Sequence, residues 1–212
     1  MERLAQTAWR FTPLLILVAA WEAISRLGLV SEYALPPFSA VADAFVALAG
    51  TDLWEHTALS LSRGGTALAL AIVFGVTAGV MMAWYRPVRT FLNPVMQCLY
   101  PMPKSALIPL TIMWIGLGDA SKITLIFIGC LLPIVISSYN AARGTDELLI
   151  WSARSLGASE SEVLRQVVLP AALPEILNGI RTSLALAFIL MVAGELIIAN
   201  NGVGYLIDIL GE

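Results

Sequence analysis

Five long apolar stretches constrain the fold of this chain more than any other feature of its sequence. They cover roughly residues 11–27, 65–84, 92–115, 123–139 and 180–199. Each approaches the ~20 apolar residues that a helix needs to cross the hydrocarbon core of a bilayer. Only 13% of the 212 residues are charged, whereas about a quarter are charged in soluble domains. We therefore predict an all-α polytopic membrane protein, a single domain over residues 1–212 with five spans.

The distribution of basic residues predicts the orientation of the chain. Cytoplasmic loops hold the excess of lysine and arginine, and a cytoplasmic N-terminus places eight of the twelve basic residues inside. These eight are Arg3, Arg10, Arg86, Arg89, Arg143, Arg154, Arg165 and Arg181. Arg26, Arg63 and Lys122 then lie outside. We expect the first apolar run to be an uncleaved span rather than a signal peptide.

Residues 36–63 connect the first two predicted spans on the outer side. Val41, Ala44, Phe45 and Leu48 recur at helical spacing after two prolines, which predicts an amphipathic helix lying at the membrane interface. The single histidine, His56, falls in this segment. Its predicted place outside the membrane argues against a metal cluster or a Ser-His dyad, and we interpret it as a polar interface residue.

The longest predicted cytoplasmic segment, residues 141–178, begins with the signals of a short capped helix. Thr145 or Asp146 can cap its first turn, and the helix is expected to run to about Leu156. Gly157 follows at the position where a positive φ commonly ends a helix. The chain is therefore predicted to turn at Gly157.

A second short helix is predicted to follow this turn. Ser159 and Glu162 have the spacing of a capping box, and Pro170 and Pro174 are expected to end the helix. Its apolar residues, which group on one side, are Val163, Leu164, Val167 and Val168. The product is a helix–turn–helix hairpin that offers an apolar ridge.

Three interpretations of this hairpin were compared. A DNA-reading motif is disfavoured because membrane spans flank the segment and its charges are balanced, with no basic face for phosphates. The hairpin can instead pack on the base of its own domain, or it can dock on a cytoplasmic partner. We favour docking, because a membrane chain has little other reason to build a projecting rigid hairpin.

The hairpin resembles the EAA loop of ABC-importer permeases. Gly157, nine intervening residues and then Val167-Val168-Leu169-Pro170 match the pattern EAA-x3-G-x9-I-x-LP. The match departs at its start, where Trp151-Ser152-Ala153 replaces Glu-Ala-Ala. That departure removes the ionic contact of the glutamate but not the residues that set the shape of the hairpin.

Further motifs along the chain resemble the nitrate/sulfonate/taurine type of these permeases. They include Trp21-Glu22, Leu35-Pro36-Pro37-Phe38-Ser39-Ala40-Val41, His56 with Ser60-Leu61 and Arg63, Pro103-Lys104-x-Ala106-Leu107-x-Pro109-Leu110, Trp114-x-Gly116-x-Gly118, Ala153-Arg154-Ser155-Leu156-Gly157-Ala158, and Gly202-x-Gly204-Tyr205-Leu206-Ile207. Their order and spacing carry the resemblance together.

This resemblance implies a type I ABC-importer membrane domain in a bacterial inner membrane. The chain would form half of a translocation pathway in the lipid bilayer, as a permease homodimer, for a small, anionic solute. Nitrate, a sulfonate, taurine and a vitamin precursor are the solutes that the resemblance implies. An ABC ATPase subunit would bind ATP and Mg, and an extracytoplasmic solute-binding protein would deliver the solute. The chain itself is then not an enzyme, binds no cofactor or metal, and needs no nucleic acid.

The residues that the resemblance assigns to ATPase coupling are Arg154, Leu156, Gly157, Ala158, Ser159, Glu162, Leu164, Arg165, Val168, Leu169 and Pro170. Gly157 and Pro170 would fix the shape of the hairpin, and Leu164 and Val168 would supply apolar contact. Arg154, Glu160 and Arg165 would tune recognition of the partner.

The family typically has a sixth span after the glycine-tyrosine motif, and the chain ends before one at Glu212. Two alternatives follow: a five-span variant, or a truncated permease-like interaction protein that does not transport. An ion-driven secondary transporter is a third, weaker alternative, because such carriers usually show inverted repeats and no self-similar halves are evident.

The third predicted span carries the residues expected along a solute path. It contains several prolines and Lys104, and ionisable residues at membrane depth mark functional sites by default. We predict a path that includes Pro103, Lys104, Pro109 and Glu195. Lys104 would attract anions unless its ammonium snorkels to the interface, and Glu195 would pair with Lys104 or with a polar backbone site. Gly75-x3-Gly79 is expected to let helices approach closely, within this chain or across a dimer.

Overall fold

The computed structural model describes residues 2–31, 33–198 and 200–211, and these form helices and short connections. The helices are α1 (Glu2–Arg26), α2 (Phe38–Ala49), α3 (Leu53–Trp84), α4 (Arg86–Leu99), α5 (Leu107–Ile115), α6 (Asp119–Arg143), α7 (Glu147–Ser155), α8 (Glu160–Val163), α9 (Leu169–Ile198) and α10 (Val203–Gly211). A 3₁₀ turn, Lys104–Ala106, precedes α5, and a π-helical segment, Leu164–Val168, joins α8 to α9. The all-α prediction is confirmed.

The chain divides into two compact units, Met1–Trp54 and Glu55–Glu212. In the first, side chains of α1 hold the connection that leads into α2. Trp21 Nε1 donates to the carbonyl of Pro36 at 2.9 Å, and Ser25 Oγ donates to that of Leu35 at 2.8 Å. Glu22 accepts from the backbone N–H of Ser39 at 3.1 Å and from its hydroxyl at 2.8 Å. Two motifs that are separate in the sequence therefore meet, and Glu22 caps the start of α2.

Among the described residues, three helices are long and apolar enough to cross a membrane: Leu53–Trp84, Asp119–Arg143 and the continuous helical run Glu160–Ile197. They contain the second, fourth and fifth predicted spans, and the predicted end of the fifth, Ala199, lies outside the described residues. The first predicted span lies within α1, which is helical as expected. Its crossing of a membrane stays a prediction.

The core of the second unit lies where α3, α6 and α9 pack together. Toward one end it consists of small and branched apolar residues, namely Ala67, Ala71, Ile126, Cys130, Ile134, Ala187, Leu190 and Met191. A second cluster lies at the hairpin end and comprises Val80, Ala142, Val163, Val168, Ala172 and Ile176. Because the α3 residues in this core are small, the helix backbones approach each other closely instead of being held apart by large interlocking side chains.

Gly75 and Gly79 make this close approach to α6 possible. A Cβ atom on Gly79 would lie 2.5 Å from the carbonyl oxygen of Val135, and one on Gly75 would lie 2.8 Å from Cγ2 of Ile134. The interpretation of these glycines as packing residues within the chain is thereby confirmed.

The third predicted span, residues 92–115, is broken, in keeping with its prolines, and forms two helices rather than one. The α4 helix ends at Leu99, and α5 begins only at Leu107. Pro101 and Pro103 have no backbone N–H and fall just after α4, so the helical hydrogen-bond ladder cannot continue through them. Lys104 satisfies the carbonyls left free there, because its ammonium donates to Leu99 at 3.1 Å, Tyr100 at 2.9 Å and Met102 at 2.9 Å.

The prediction that Pro170 and Pro174 end a short helix is also wrong, because helical structure continues through both to Ile198. The preceding π-helical segment explains how Pro170 is tolerated. In that segment the N–H of Leu169 bonds to the carbonyl of Leu164, five residues earlier. In a regular α-helix, the ring of Pro170 would clash with the backbone carbonyl four residues earlier. The wider π-helical turn shifts the backbone hydrogen bonds out of α-helical register just before the proline and so avoids this clash.

Candidate functional site

The first arm of the predicted hairpin is built as the sequence indicated. Asp146 caps α7 by accepting from the N–H of Leu148 at 2.9 Å. Gly157 has φ +89°, and its N–H bonds to Arg154 O at 3.0 Å while Ala158 N–H bonds to Ala153 O at 3.1 Å. These two bonds form a Schellman motif, which satisfies the last carbonyls of the helix. The chain turns sharply at Gly157.

The second arm begins with the predicted capping box. Ser159 donates to the carboxylate of Glu162 through its backbone N–H at 2.8 Å and its hydroxyl at 2.6 Å. A bidentate pair then joins the arms, because Arg154 Nε and Nη2 each donate to Glu160 at 2.9 Å. Such planar fork contacts fix geometry even where solvent limits their strength. The Arg154 guanidinium also lies 5.9 Å from the ring centre of Trp84, which ties the hairpin to α3.

Burial divides the hairpin into an inner and an outer face. Val163 and Val168 are 0% and 1% exposed within the second core cluster. Val168 therefore has no exposed surface for the contact predicted from sequence, and it holds the hairpin on its own domain. The apolar side chains that do face outward on α7 and the turn are Leu148, Leu149, Trp151 and Leu156.

Trp151 is the outward residue that the sequence analysis undervalued. It stands where the family pattern has a glutamate, and 67% of it is exposed. Leu148, three residues earlier on α7, and Leu156, just after the end of α7, are 74% and 88% exposed. The hairpin thus exposes both apolar side chains and the charged side chains of Arg154, Glu160 and Arg165. The three-residue spacing of Leu148 and Trp151, which places both on one face of a helix, was the sequence signal that could have identified this exposed face.

The residues predicted along a solute path lie in two parts of the chain, three of them between Pro103 and Pro109 and the fourth, Glu195, on α9. Pro103 precedes the 3₁₀ turn and Pro109 lies in the first turn of α5. Lys104 caps α4, as described above. The predicted Lys104–Glu195 pair is wrong: Glu195 bonds to Arg63 of α3 instead, while its alternative partner, a polar backbone site, is present as the N–H of Gly204. A role for any of these residues in transport stays a prediction.

Glu195 lies at the centre of a buried ion-pair cluster. Its side chain is 1% exposed and that of Arg63 is 3% exposed, with Nη1 and Oε1 at 2.8 Å. Ser60 Oγ donates to the same carboxylate, at 2.7 Å from Oε2. Arg63 also pairs with Asp119 of α6 at 2.7 Å and bonds to the side chain of Asn201. One arginine thus links α3, α6, α9 and the following loop.

Three consecutive backbone N–H groups, from the end of that loop and the first turn of α10, complete the cluster. Gly202 donates to His56 Nδ1 at 2.8 Å, Val203 to Ser60 Oγ at 2.9 Å, and Gly204 to Glu195 Oε2 at 3.1 Å. His56 must accept through Nδ1, so its proton is on Nε2. Gly202 has φ +115°, and a Cβ on it would lie 2.5 Å from Glu195 Oε1. The absence of a side chain at Gly202 therefore allows the loop to wrap closely around the Glu195 carboxylate.

Sequence analysis missed this cluster although its signals were present. His56, Ser60 and Arg63 are spaced four and three residues apart, so one helix face carries all three. They were assigned to an interfacial segment that ended before the next span. The structure continues them into α3, which begins at Leu53 and places them against Glu195.

Known proteins share the fold and the motifs of this chain. Residues 71–209 match the family described as "Binding-protein-dependent transport system inner membrane component". The taurine transport system permease protein TauC of Escherichia coli (strain K12) is 37% identical over 205 residues, which is 94% of this chain and 74% of that protein. The putative aliphatic sulfonates transport permease protein SsuC of Bacillus subtilis (strain 168) is 35% identical over 193 residues, covering 91% and 70%.

Solved structures support the same fold. A chain of the MetNI methionine ABC transporter in an inward-facing conformation superposes with a TM-score of 0.64 at 22% identity, covering 73% of this chain and 78% of that one. An amino acid ABC transporter chain gives a TM-score of 0.64 at 15% identity, covering 79% and 80%. These similarities establish a common helical architecture.

Proposed function

The chain belongs to the family of binding-protein-dependent transport system inner membrane components, and from that premise we propose that it is the permease subunit of an ATP-driven importer for a small sulfonate. The relatives named for taurine and for aliphatic sulfonates support this class of solute. Half of the translocation pathway is then built by this chain, and a second copy in the lipid bilayer supplies the other half.

The hairpin is proposed as the docking element for the ATPase subunit. Its two arms are fixed by the Schellman turn, the capping box and the Arg154–Glu160 pair, and its inner face is buried against α3, α6 and α9. A rigid element can transmit the motion of a partner, whereas a flexible loop would absorb it. The exposure of Leu148, Trp151 and Leu156 is the single observation that carries the proposal, because exposed apolar side chains on a fixed element favour a partner.

The rest of the assembly follows from this assignment. ATP and Mg bind to the ATPase, so this chain has no catalytic residue and holds no cofactor. The N-terminus and the hairpin lie in the cytoplasm, and the chain crosses the inner membrane several times. A solute-binding protein delivers the sulfonate at the opposite end of α3, α6 and α9, where the Glu195 cluster lies.

Co-purification with the ATPase of the same transport system tests the docking step. Trp151→Ala should lower the recovered ATPase by about tenfold, because it removes a central exposed aromatic side chain. Trp9→Ala is the matched control, since Trp9 is 77% exposed but lies on α1. Equal recovery with Trp151→Ala and with wild type would contradict the assignment of this face.

A second pair of variants tests the shape of the hairpin. Nothing lies within 4 Å of a Cβ on Gly157, so Gly157→Leu acts through its positive φ alone, while Gly157→Asn tolerates that conformation better. We expect Gly157→Leu to lower both ATPase recovery and ATP-dependent uptake, and Gly157→Asn to retain most of each. Full uptake with Gly157→Leu would overturn the docking proposal.

A further inference from the structure

Helix α9 has two exposed faces of different character. The first face is apolar and consists of Leu173, Leu177, Leu184 and Phe188. The second, called the polar face below, recurs at three- and four-residue spacing along one side of the helix. Its exposed residues are Glu175, Asn178, Arg181, Thr182 and Ala185. The remaining side, which includes Ile176 and Ser183, is buried. Lipid tails can cover the apolar face, whereas the polar face requires a different environment.

Three side chains of the polar face have no partner within the described part of the chain. The carboxylate of Glu175, the amide of Asn178 and the guanidinium of Arg181 form no hydrogen bond or ion pair there. Arg181 thus differs from Arg63 and Arg154, because carboxylates hold both of those guanidinium groups. Its N–H donors remain available to a group from outside the chain.

Contacts with α6 place Arg181 well inside the membrane-crossing part of α9. Gly179 packs against the side chain of Ser137, and Cys130 Sγ donates to the carbonyl of Ser183 at 3.4 Å. Arg181 therefore lies between the levels of Ser137 and Cys130, which are six and thirteen residues before the end of α6 at residue 143. At 1.5 Å per residue this depth is roughly 9–20 Å, in a hydrocarbon core about 30 Å thick.

A charged group at this depth needs water or a counter-charge. Transfer of arginine into hydrocarbon is costly, so intramembrane arginines face a bundle interior or a water-filled cavity. Snorkelling serves residues near helix ends, but Arg181 lies twelve residues into α9. Helix α6 adds polar groups beside the same face, because Ser137 Oγ donates to the carbonyl of Glu175 at 2.9 Å and Asn140 is exposed. The polar face therefore borders water inside the membrane.

We propose that the polar face of α9 lines the solute pathway and that Arg181 binds the oxyanion group of the passing solute. The inference rests on the proposed function and deepens it, because it assigns the surface along which the solute moves. A guanidinium binds an oxyanion through two parallel N–H donors, and Asn178 adds an amide one turn nearer the hairpin. Glu175, six residues nearer the hairpin than Arg181, repels the anion, so binding stays weak enough for the solute to leave.

Thiol accessibility tests whether the polar face borders water. Cys98, an exposed native thiol, is first replaced by serine, and Cys130 stays because it is 0% exposed. Asn178→Cys on the polar face and Leu177→Cys on the apolar face form a matched pair of adjacent positions. Each is treated with the membrane-impermeant reagent sulfonatoethyl methanethiosulfonate, in the nucleotide-free permease–ATPase complex in lipid nanodiscs.

Asn178→Cys should react at least about tenfold faster than Leu177→Cys, because the thiolate is the reactive form and apolar surroundings suppress it. The mass of the intact permease chain follows the modification. Equal rates at the two positions would overturn the proposal. A disulfide between two copies of Asn178→Cys, with no reaction with the reagent, would also overturn it, because the face would then be a packed contact with a second copy.

The charge of the reagent tests Arg181 itself. The rate of Asn178→Cys with the anionic reagent is divided by its rate with neutral hydroxyethyl methanethiosulfonate, and each rate is first normalised to that of a free thiol in solution. Arg181→Gln should lower this ratio by about tenfold, since the guanidinium lies one turn away, and Arg181→Lys should preserve it. A structural role alone would not change the ratio, so an unchanged ratio in Arg181→Gln would overturn the assignment of Arg181.

ATP-dependent uptake of taurine, measured with the binding protein, separates this inference from the proposed function. Arg181→Gln should lower uptake by at least about tenfold while ATPase co-purification stays at the wild-type level. Arg86→Gln, at an exposed arginine that begins α4, is the control and should retain uptake. Wild-type uptake in Arg181→Gln would overturn this inference alone. A wild-type chain that neither binds the ATPase nor takes up taurine would overturn the proposed function, and this inference with it.

Discussion

The carboxylate of Glu195 is bound by a hydroxyl, a guanidinium and a backbone N–H, and almost none of it reaches the surface. A buried pair of this kind contributes little net stability compared with apolar packing, but loss of one partner leaves an isolated charge. The cluster therefore contributes to the specificity of helix packing rather than to net stability. It fixes which face of α3 meets α9 and how the loop before α10 runs.

Single and double substitutions separate these contributions. Arg63→Met should destabilise the protein by about 3–5 kcal/mol, because Glu195 is left buried without its cation. Glu195→Gln should cost less than Arg63→Met, since Arg63 keeps the carboxylate of Asp119. The double variant should lose less than the sum of both. Unfolding in detergent, followed by tryptophan fluorescence, measures all three, and strict additivity would show that Arg63 and Glu195 do not interact.

At the scale of elements, local signals were more informative than proline positions. The capping box at Ser159, the cap at Asp146 and the turn at Gly157 were all predictable, because each depends on residues within a few positions in the sequence. The continuation of α9 through Pro170 was not, since it requires a π-helical turn that no residue type demands. The burial of Val168 depends on packing against Val80 of α3 and Ala142 of α6, contacts that the local sequence does not show.

Two glycines of α3 allow a matched test of how that packing works. Gly79→Ala should destabilise the protein by roughly 1–3 kcal/mol, because its Cβ would meet the α6 backbone, which cannot move aside easily. Gly65→Ala places the same methyl group where nothing lies within 4 Å, so it should be neutral or stabilising by up to about 1 kcal/mol. Thermal unfolding of both variants in one detergent gives the comparison. Equal melting temperatures would contradict close packing at Gly79.

Across the whole second unit, two polar constructions lie at opposite ends of the same three helices. The Glu195 cluster joins the start of α3 and α6 to the end of α9, and the hairpin joins their other ends. Composition and periodicity predicted a membrane protein with most of its spans, and the motifs predicted the family. The helical spacing of His56 and Arg63 was readable from the sequence, but their meeting with Glu195 and Gly202 was not, because groups from three separate segments converge only after the helices pack.

This separation predicts that the two ends fail in different ways. His56→Ala removes the acceptor for the N–H of Gly202 and should weaken attachment of the loop by about 1–3 kcal/mol. His56→Asn keeps an acceptor oxygen near the same position and is the control. We expect His56→Ala to lower ATP-dependent uptake while ATPase co-purification stays at the wild-type level. A docking variant such as Trp151→Ala should instead lower ATPase co-purification. Loss of ATPase binding in His56→Ala, with the protein still folded, would mean that the cluster and the hairpin act as one unit and would rule out separate roles for the two ends.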